Sequence, residues 1–183
     1  MIELKYGDEV YQLKNTPDEI KLGEFEKIFN IANNPQLEPM GKYFAIFELL
    51  EVPDEVLDSM NQQEFIDAVQ AWNSYDLNNE PLPFVEVGGR RYVSFEGEEF
   101  IFMARDISLI EKSAASGDGH FPSTVMAILF KDDQLTPTEH RDNAHIKHKA
   151  KLFRENLTAD MAVPFLARVA RRQIESVEGN EVE

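Results

Sequence analysis

Residues 84–95 read Phe-Val-Glu-Val-Gly-Gly-Arg-Arg-Tyr-Val-Ser-Phe, two short strands joined at a pair of glycines that begins with Gly88. Residues 2–13, Ile-Glu-Leu-Lys-Tyr-Gly-Asp-Glu-Val-Tyr-Gln-Leu, have the same form and turn at Gly7. Both stretches alternate apolar and polar side chains around a glycine turn, which is typical of β-hairpins. The sequence therefore predicts two hairpins, and it leaves open whether they join one sheet.

Each predicted hairpin is followed by an amphipathic helical pattern. Apolar residues at three- and four-residue spacing predict helices over 22–32 and 98–113. This hairpin–helix unit occurs about half a chain apart, which fits either a duplication or a coincidence. The same spacing predicts further helices over 40–50, 56–60, 65–72, 124–130, 138–156 and from 158 onward. A polar loop is predicted at 131–137. The expected fold is α+β and predominantly helical, with two short hairpins each followed by amphipathic helices.

The length of 183 residues favours one compact domain, which we place at 1–176. A proline-rich stretch, Asn-Asn-Glu-Pro-Leu-Pro at 78–83, reads as a linker that would divide this domain into halves 1–77 and 84–176. The last residues, 177–183, are predicted to form an acidic flexible tail.

Composition limits the functional classes. The chain has 34 acidic and 18 basic residues, a formal charge of −16, and no cysteine. Disulfides and thiolate catalysis are thereby excluded, and direct binding to a phosphate backbone is disfavoured because it needs clustered Lys and Arg. The first residues lack the pattern of a signal peptide, and the apolar stretches are too short to cross a bilayer. We therefore expect no contact with nucleic acid or membrane.

The sequence contains no recognisable catalytic or cofactor motif. No phosphate-binding glycine loop and no nucleophile elbow is present, so we predict a protein that is not an enzyme, needs no cofactor and has no evident small-molecule substrate. His140, His145 and His148 form the one cluster with metal-ligand chemistry. Lys147 and Lys149 flank it and would repel a cation, so a solvated polar helix is favoured over a metal site or a pH-sensitive contact.

The candidate partner-binding surfaces of this acidic chain are the hairpin edges, which can accept a partner's strand, the acidic C-terminal tail and two basic segments. One is the second hairpin turn, and the other is the helix predicted at 138–156, which has few apolar anchors. The candidate contact residues are Arg90, Arg91, Tyr92, Lys147, Lys149, Lys151 and Arg154. The alternative for the hairpin is that its arginines protect the strand edge against aggregation. The alternative for the helix is that its basic side chains form an ordinary solvated face.

The order of several segments resembles a known protein class. These segments are Thr-Pro-Asp-Glu-Ile-Lys-Leu-Gly-Glu-Phe-Glu-Lys-Ile (16–28), Phe-Ala-Ile-Phe-Glu-Leu-Leu-Glu-Val-Pro-Asp-Glu-Val-Leu (44–57), Val-Met-Ala-Ile-Leu-Phe-Lys (125–131) and Leu-Phe-Arg-Glu-Asn-Leu-Thr-Ala-Asp-Met-Ala-Val-Pro-Phe (152–165). With the two hairpins, they resemble small accessory proteins of tailed bacteriophages, of the tail or baseplate assembly-chaperone type.

This resemblance implies a non-enzymatic protein that is made in the host cytoplasm and binds a phage structural protein, or itself, during virion assembly. It is expected to act as a chaperone or to stay in the virion as a structural component. The alternative from another class is an acidic inhibitor that mimics nucleic acid and occupies a basic groove on a host enzyme.

Overall fold

The computed structural model describes residues 1–74, 80–94, 104–115, 120–140 and 142–178. In chain order its elements are β1 (Ile2–Tyr6), β2 (Glu9–Leu13), α1 (Leu22–Ala32), α2 (Pro39–Leu49), α3 (Asp54–Ser59), α4 (Gln62–Trp72), β3 (Phe84–Val87), β4 (Arg90–Ser94), α5 (Ala104–Ala115), α6 (Phe121–Leu129), β5 (Phe130–Asp132), α7 (Pro137–His140), α8 (Asn143–Asn156) and α9 (Ala159–Glu178). The predicted fold class, α+β and predominantly helical, is confirmed.

Both predicted hairpins form, and they belong to separate sheets. Strands β1 and β2 pair antiparallel around a two-residue turn in which Gly7 has φ +60°. In the second hairpin, Gly88 and Gly89 have φ +59° and +74°. Two successive positive φ angles match a type I′ turn, whose twist suits the flanking strands.

The second hairpin gains a third strand, so its sheet has the order β3-β4-β5. The sequence predicted a helix through Phe130 and a polar loop at 131–137, and this was wrong. Helix α6 ends at Leu129, and Phe130 pairs with Ser94 of β4. Phe130 is fully buried, so tertiary packing decides the state of this short segment.

The apolar side chains form two clusters. One contains residues between positions 4 and 72 together with Ala159, and the other contains residues between 85 and 169 together with Leu22. Phe25 packs against both clusters. Helix α6, buried on most sides, contacts α1, α5, α8 and α9. The division of the chain into halves, with its linker, stays a prediction.

Two short segments join the clusters through the backbone. The N–H of Leu22 donates to the carbonyl of Leu157 at 2.9 Å, and the N–H of Ala159 donates to the carbonyl of Ile20 at 2.9 Å. These bonds fix the start of α1 against the junction between α8 and α9. Helix α1 has the bounds that the sequence predicted.

The single basic helix predicted at 138–156 is two helices, α7 and α8. Asp142 begins the second one, because its carboxylate accepts hydrogen bonds from the N–H groups of Ala144 and His145. The predicted start of the helix at 98 lies within 95–103, outside the described residues. The acidic tail is predicted to begin at 177, but Val177 and Glu178 belong to α9, and 179–183 lie outside the described residues. Helix α9 continues through Glu178 and contains Pro164 near its start.

Candidate functional site

The outer edge of β1 has no strand beside it in the described part of the chain. The two-residue turn makes Tyr6 and Glu9 a hydrogen-bonded pair. Because pairs alternate along an antiparallel ladder, Glu3 and Lys5 lie in non-hydrogen-bonded pairs with β2. Their N–H and C=O groups therefore point away from β2 and toward the open edge.

A groove of about 580 Å³ follows this edge. Every residue of β1 lines one wall, and one face of α4 lines the other. The lining residues from the helical side are Ser59, Met60, Glu64, Asp67, Ala68 and Ala71. The last four lie at positions i, i+3, i+4 and i+7 along α4, so they share one helix face. The two alanines leave room between the strand and the helix.

Helix α4 is capped at its start and bonded to the hairpin at its end. Asn61 caps its start by accepting from the N–H groups of Gln63 and Glu64, while Glu64 accepts from the N–H of Asn61 at 2.8 Å. At its end, the indole of Trp72 donates to the carbonyl of Lys14 at 3.1 Å. Since Lys14 directly follows β2, this bond ties the helix to the hairpin.

The charge of the groove is predominantly negative. Its lining contains the carboxylates of Glu3, Glu64 and Asp67 against the one ammonium group of Lys5. Asp67 accepts a hydrogen bond from Gln63 at 2.8 Å, which orients its carboxylate on the helix surface. The groove therefore offers backbone hydrogen-bonding groups on one wall and carboxylates along both.

The residues predicted from sequence to bind a partner lie at the other sheet, and four of them are exposed: Arg90, Arg91, Lys147 and Lys151. The guanidinium of Arg91 lies 4.0 Å from the centre of the Phe84 ring, which holds it against the hairpin. For these four residues, partner contact stays a prediction.

Tyr92 and Arg154, two other predicted contact residues, hold the fold together. The Tyr92 ring is buried with its edge against Phe153, at a centroid distance of 5.0 Å. Arg154 Nε donates to Glu26 Oε2 at 2.7 Å. Glu26 is only 2% exposed and also accepts from the N–H of Ser123 at 2.7 Å, so it joins α1, α6 and α8.

Lys149 is fully buried, so contact with a partner would require its side chain to leave the interior. Its Nζ donates to the Phe130 carbonyl at 2.5 Å and lies 3.0 Å from His140 Nδ1. Burial lowers the pKa of Lys149 to about 7, although the nearby carboxylate of Asp132 acts in the opposite direction. Asp132, also buried, pairs with Arg90 at 3.1 Å.

Sequence reasoning missed the burial of Lys149 and Glu26, although helical spacing contained a signal for both. Lys149 lies three residues after Ile146 and four before Phe153, on the buried face of α8. Glu26 lies four residues after the buried Leu22. A charged residue on an apolar face predicts a buried partner, and that partner is not apparent from the sequence.

The three histidines predicted to cluster at 140–148 have different surroundings. His140 is buried beside Lys149, whereas His145 and His148 line a cleft next to the second hairpin. Among the described residues, no group of three His, Asp or Glu side chains could hold a metal ion. None of the described helices combines the length and the apolar character needed to cross a membrane.

No protein family model matches this chain, and neither the curated proteins nor the solved structures contain a significant match to it. Its function therefore has to be inferred from the geometry of its own residues.

Proposed function

We propose that this chain is a non-enzymatic protein that acts through protein–protein contacts, and that the groove beside β1 binds an extended segment of its partner. The observation that supports this most is the open β1 edge, which faces a helix across a groove instead of lying on a convex surface. A partner strand placed there would continue the β1–β2 sheet.

Strand addition suits the backbone of β1. Glu3 and Lys5 each offer an unpaired N–H and C=O toward the groove, at the spacing that one added strand requires. Main-chain bonds of this kind give affinity, whereas contacts to alternate side chains give specificity. Side chains of the added strand that turn inward would pack against Ala68 and Ala71 of α4.

The carboxylates of the groove select the chemistry of the segment. With Glu3, Glu64 and Asp67 along its walls, the groove favours a segment that carries Lys or Arg at alternate positions. The charge of −16 on the whole chain would also increase the rate of encounter with a basic partner.

The resemblance to tail and baseplate assembly chaperones favours a phage structural protein as this partner. In this proposal the chain binds an extended segment of that protein in the host cytoplasm, as a chaperone during virion assembly or as a component retained in the particle. Self-association would use the same β1 edge, with a second copy of the chain supplying the added strand.

The test is an affinity pull-down from the native cell lysate, read by mass spectrometry at low and high salt. It compares the wild-type chain with Glu3→Pro, which removes an N–H from the groove edge. Gln12→Pro is the matched control, because Gln12 lies opposite Glu3 in the ladder and its N–H faces the other side of the hairpin. Proline is tolerated at such outward positions of edge strands.

We expect the wild-type chain and Gln12→Pro to recover the same tail, baseplate or other virion protein, and Glu3→Pro to lose it. Asp67→Arg should weaken recovery too, whereas Glu48→Arg, an exposed control on α2, should not. Equal recovery by both proline variants would refute strand addition at β1. Recovery of a nucleic-acid enzyme that is lost at high salt would favour the nucleic-acid mimic instead.

A further inference from the structure

A second cleft, of about 370 Å³, lies between the β3–β4 turn and α8. Its lining residues are Val87, Gly88, Arg90, Tyr92, His145, His148 and Leu152. The volume lies in the range of small-ligand sites, and the cleft has apolar walls with a few polar groups between them. The cleft lies at the three-stranded sheet, whereas the groove lies at the β1–β2 sheet, so a function of the cleft does not depend on the proposed peptide contact.

The polar side chains in this cleft are all able to donate hydrogen bonds. They comprise one guanidinium, one phenol and two imidazoles, and no carboxylate is among the lining residues. The lining of this cleft thus contains a cation and no carboxylate, whereas the chain as a whole has 34 acidic residues. A set of convergent donors is what a bound oxyanion requires.

The carboxylate of Asp132, which lies behind the cleft, is already paired. Asp132 Oδ2 pairs with Arg90 at 3.1 Å, and its Oδ1 accepts from the N–H of Gln134 at 3.0 Å. Arg90 has further guanidinium donors beyond the nitrogen that Asp132 uses, and its side chain is 56% exposed. Asp132 therefore orients Arg90 without consuming its capacity to bind an anion.

His145 supplies an independent sign that the cleft is incomplete. Its Nε2 atom is buried and has no hydrogen-bond partner among the described residues. A buried polar atom without a partner destabilises the folded state, and an oxygen atom of a ligand would relieve this once the imidazole turns its Nε2 toward the cleft. Burial and the neighbouring Lys149 also lower the pKa of His145, as expected where the local charge is positive.

We propose that this cleft is an oxyanion-binding site that takes a carboxylate or phosphate group, held by Arg90, His145 and His148. The anion is carried either by a free small molecule or by an acidic side chain of a partner. Val87 and Leu152 contact the apolar part of the ligand. Tyr92 forms the floor, because its ring is buried against Phe153.

Binding of the anion strengthens as the pH falls. The charged and titratable groups that act on His145 are Lys149 and His148 from the same helix, Asp132 from β5, Arg90 from β4 and Glu139 from α7. Burial and Lys149 hold the pKa of His145 below its usual value, so its imidazole gains a proton, and adds positive charge where the anion binds, only as the pH falls.

The test is a titration with inorganic phosphate and, separately, with succinate at constant ionic strength, followed through the imidazole signals in NMR spectra. We expect saturable shifts of His145 and His148, with tighter binding at the lower pH. His148→Gln should raise the dissociation constant about tenfold, the effect of one charge-assisted hydrogen bond. His148 is exposed, so this variant should fold.

Lys147→Gln is the matched control, since Lys147 is the neighbouring exposed cation on α8 but does not line the cleft. It should bind both anions as the wild type does. Phosphate binding without succinate binding would identify a phosphorylated ligand, and the reverse would identify a carboxylate. Equal weakening by both variants, or shifts that do not saturate, would overturn the proposal and indicate general screening of the basic helix.

Discussion

The two hairpins have the same local design and different surroundings. Both turn at glycine over two residues, and both are followed by helices. In the second hairpin β4 is paired on both sides, because β5 joins it, whereas β1 keeps an open edge beside a groove. A local pattern is therefore enough to specify a hairpin. Whether the edge of that hairpin is paired within the chain or stays open depends on a segment that is distant in sequence.

The third strand is held in place by buried polar contacts as well as by packing. Lys149 bonds to the carbonyl of Phe130, and Asp132 pairs with Arg90. In the first hairpin the charged side chains, Glu3, Lys5, Asp8 and Glu9, are exposed instead. Substitutions should therefore affect stability at the second hairpin and binding at the first.

The largest expected effect is that of Lys149→Glu. It places a carboxylate in a buried site beside Asp132 and removes the donor to Phe130, so the free energy of unfolding should fall by about 5 kcal/mol. Urea denaturation measures this. Lys147→Glu, two residues earlier and exposed, should change it by about 0.5 kcal/mol or less. Similar midpoints for the two variants would mean that Lys149 is not buried in solution.

Phe130→Ala should have the next largest effect. Phe130 is fully buried, and its ring contacts those of Phe153 and Phe165 at centroid distances of 6.0 and 4.9 Å. Its loss should reduce the free energy of unfolding by about 4 kcal/mol. Phe84→Ala, in the same sheet but 38% exposed, should reduce it by about 1 kcal/mol. Equal losses would contradict the position of β5 in the core.

The dependence of stability on pH should report on Lys149. Its pKa is about 7 in the folded chain, against 10.5 for an ordinary lysine such as that of the unfolded chain. Between these values the unfolded chain binds the extra proton, so the free energy of unfolding should rise as the pH rises from 7 toward 10. Denaturation curves across this interval measure the slope. Lys149→Met should flatten it, and an unchanged slope would show that Lys149 stays charged when folded.

The smallest effect on stability is expected for prolines at the open edges. Glu3→Pro and Gln12→Pro should each lower the free energy of unfolding by about 1 kcal/mol or less, since neither N–H faces the partner strand. Val93→Pro in β4 should be more damaging, because its N–H faces β5. Thermal melts of the three variants rank them by stability. A loss for Glu3→Pro as large as that for Val93→Pro would mean that the β1 edge is already paired.

The elements that the sequence predicted well are those with a strong local signal. Helix α1 has apolar residues at regular helical spacing and begins and ends where predicted. Both hairpin turns follow from glycine at positions that require positive φ. Such features depend on neighbours within a few residues, so no knowledge of the tertiary structure is needed to find them.

The elements that the sequence did not reveal depend on distant contacts. Strand β5 is three residues long and continues an apolar run, so periodicity could not separate it from α6. The β1 groove exists because Trp72 ties α4 to the end of β2, across 58 positions of the chain. The sequence indicated the hairpin edges as contact surfaces, but not that the edge of β1 lies beside a groove.

The most direct test of strand addition at β1 is amide hydrogen exchange of Glu3 and Lys5, with and without the virion protein recovered in the pull-down. Both amides face the groove, so they should exchange rapidly in the free chain and become protected in the complex. The amides of Val10 and Gln12, on the opposite edge, should not change. Protection of Val10 and Gln12, or no protection at Glu3 and Lys5, would contradict the proposed mode of binding.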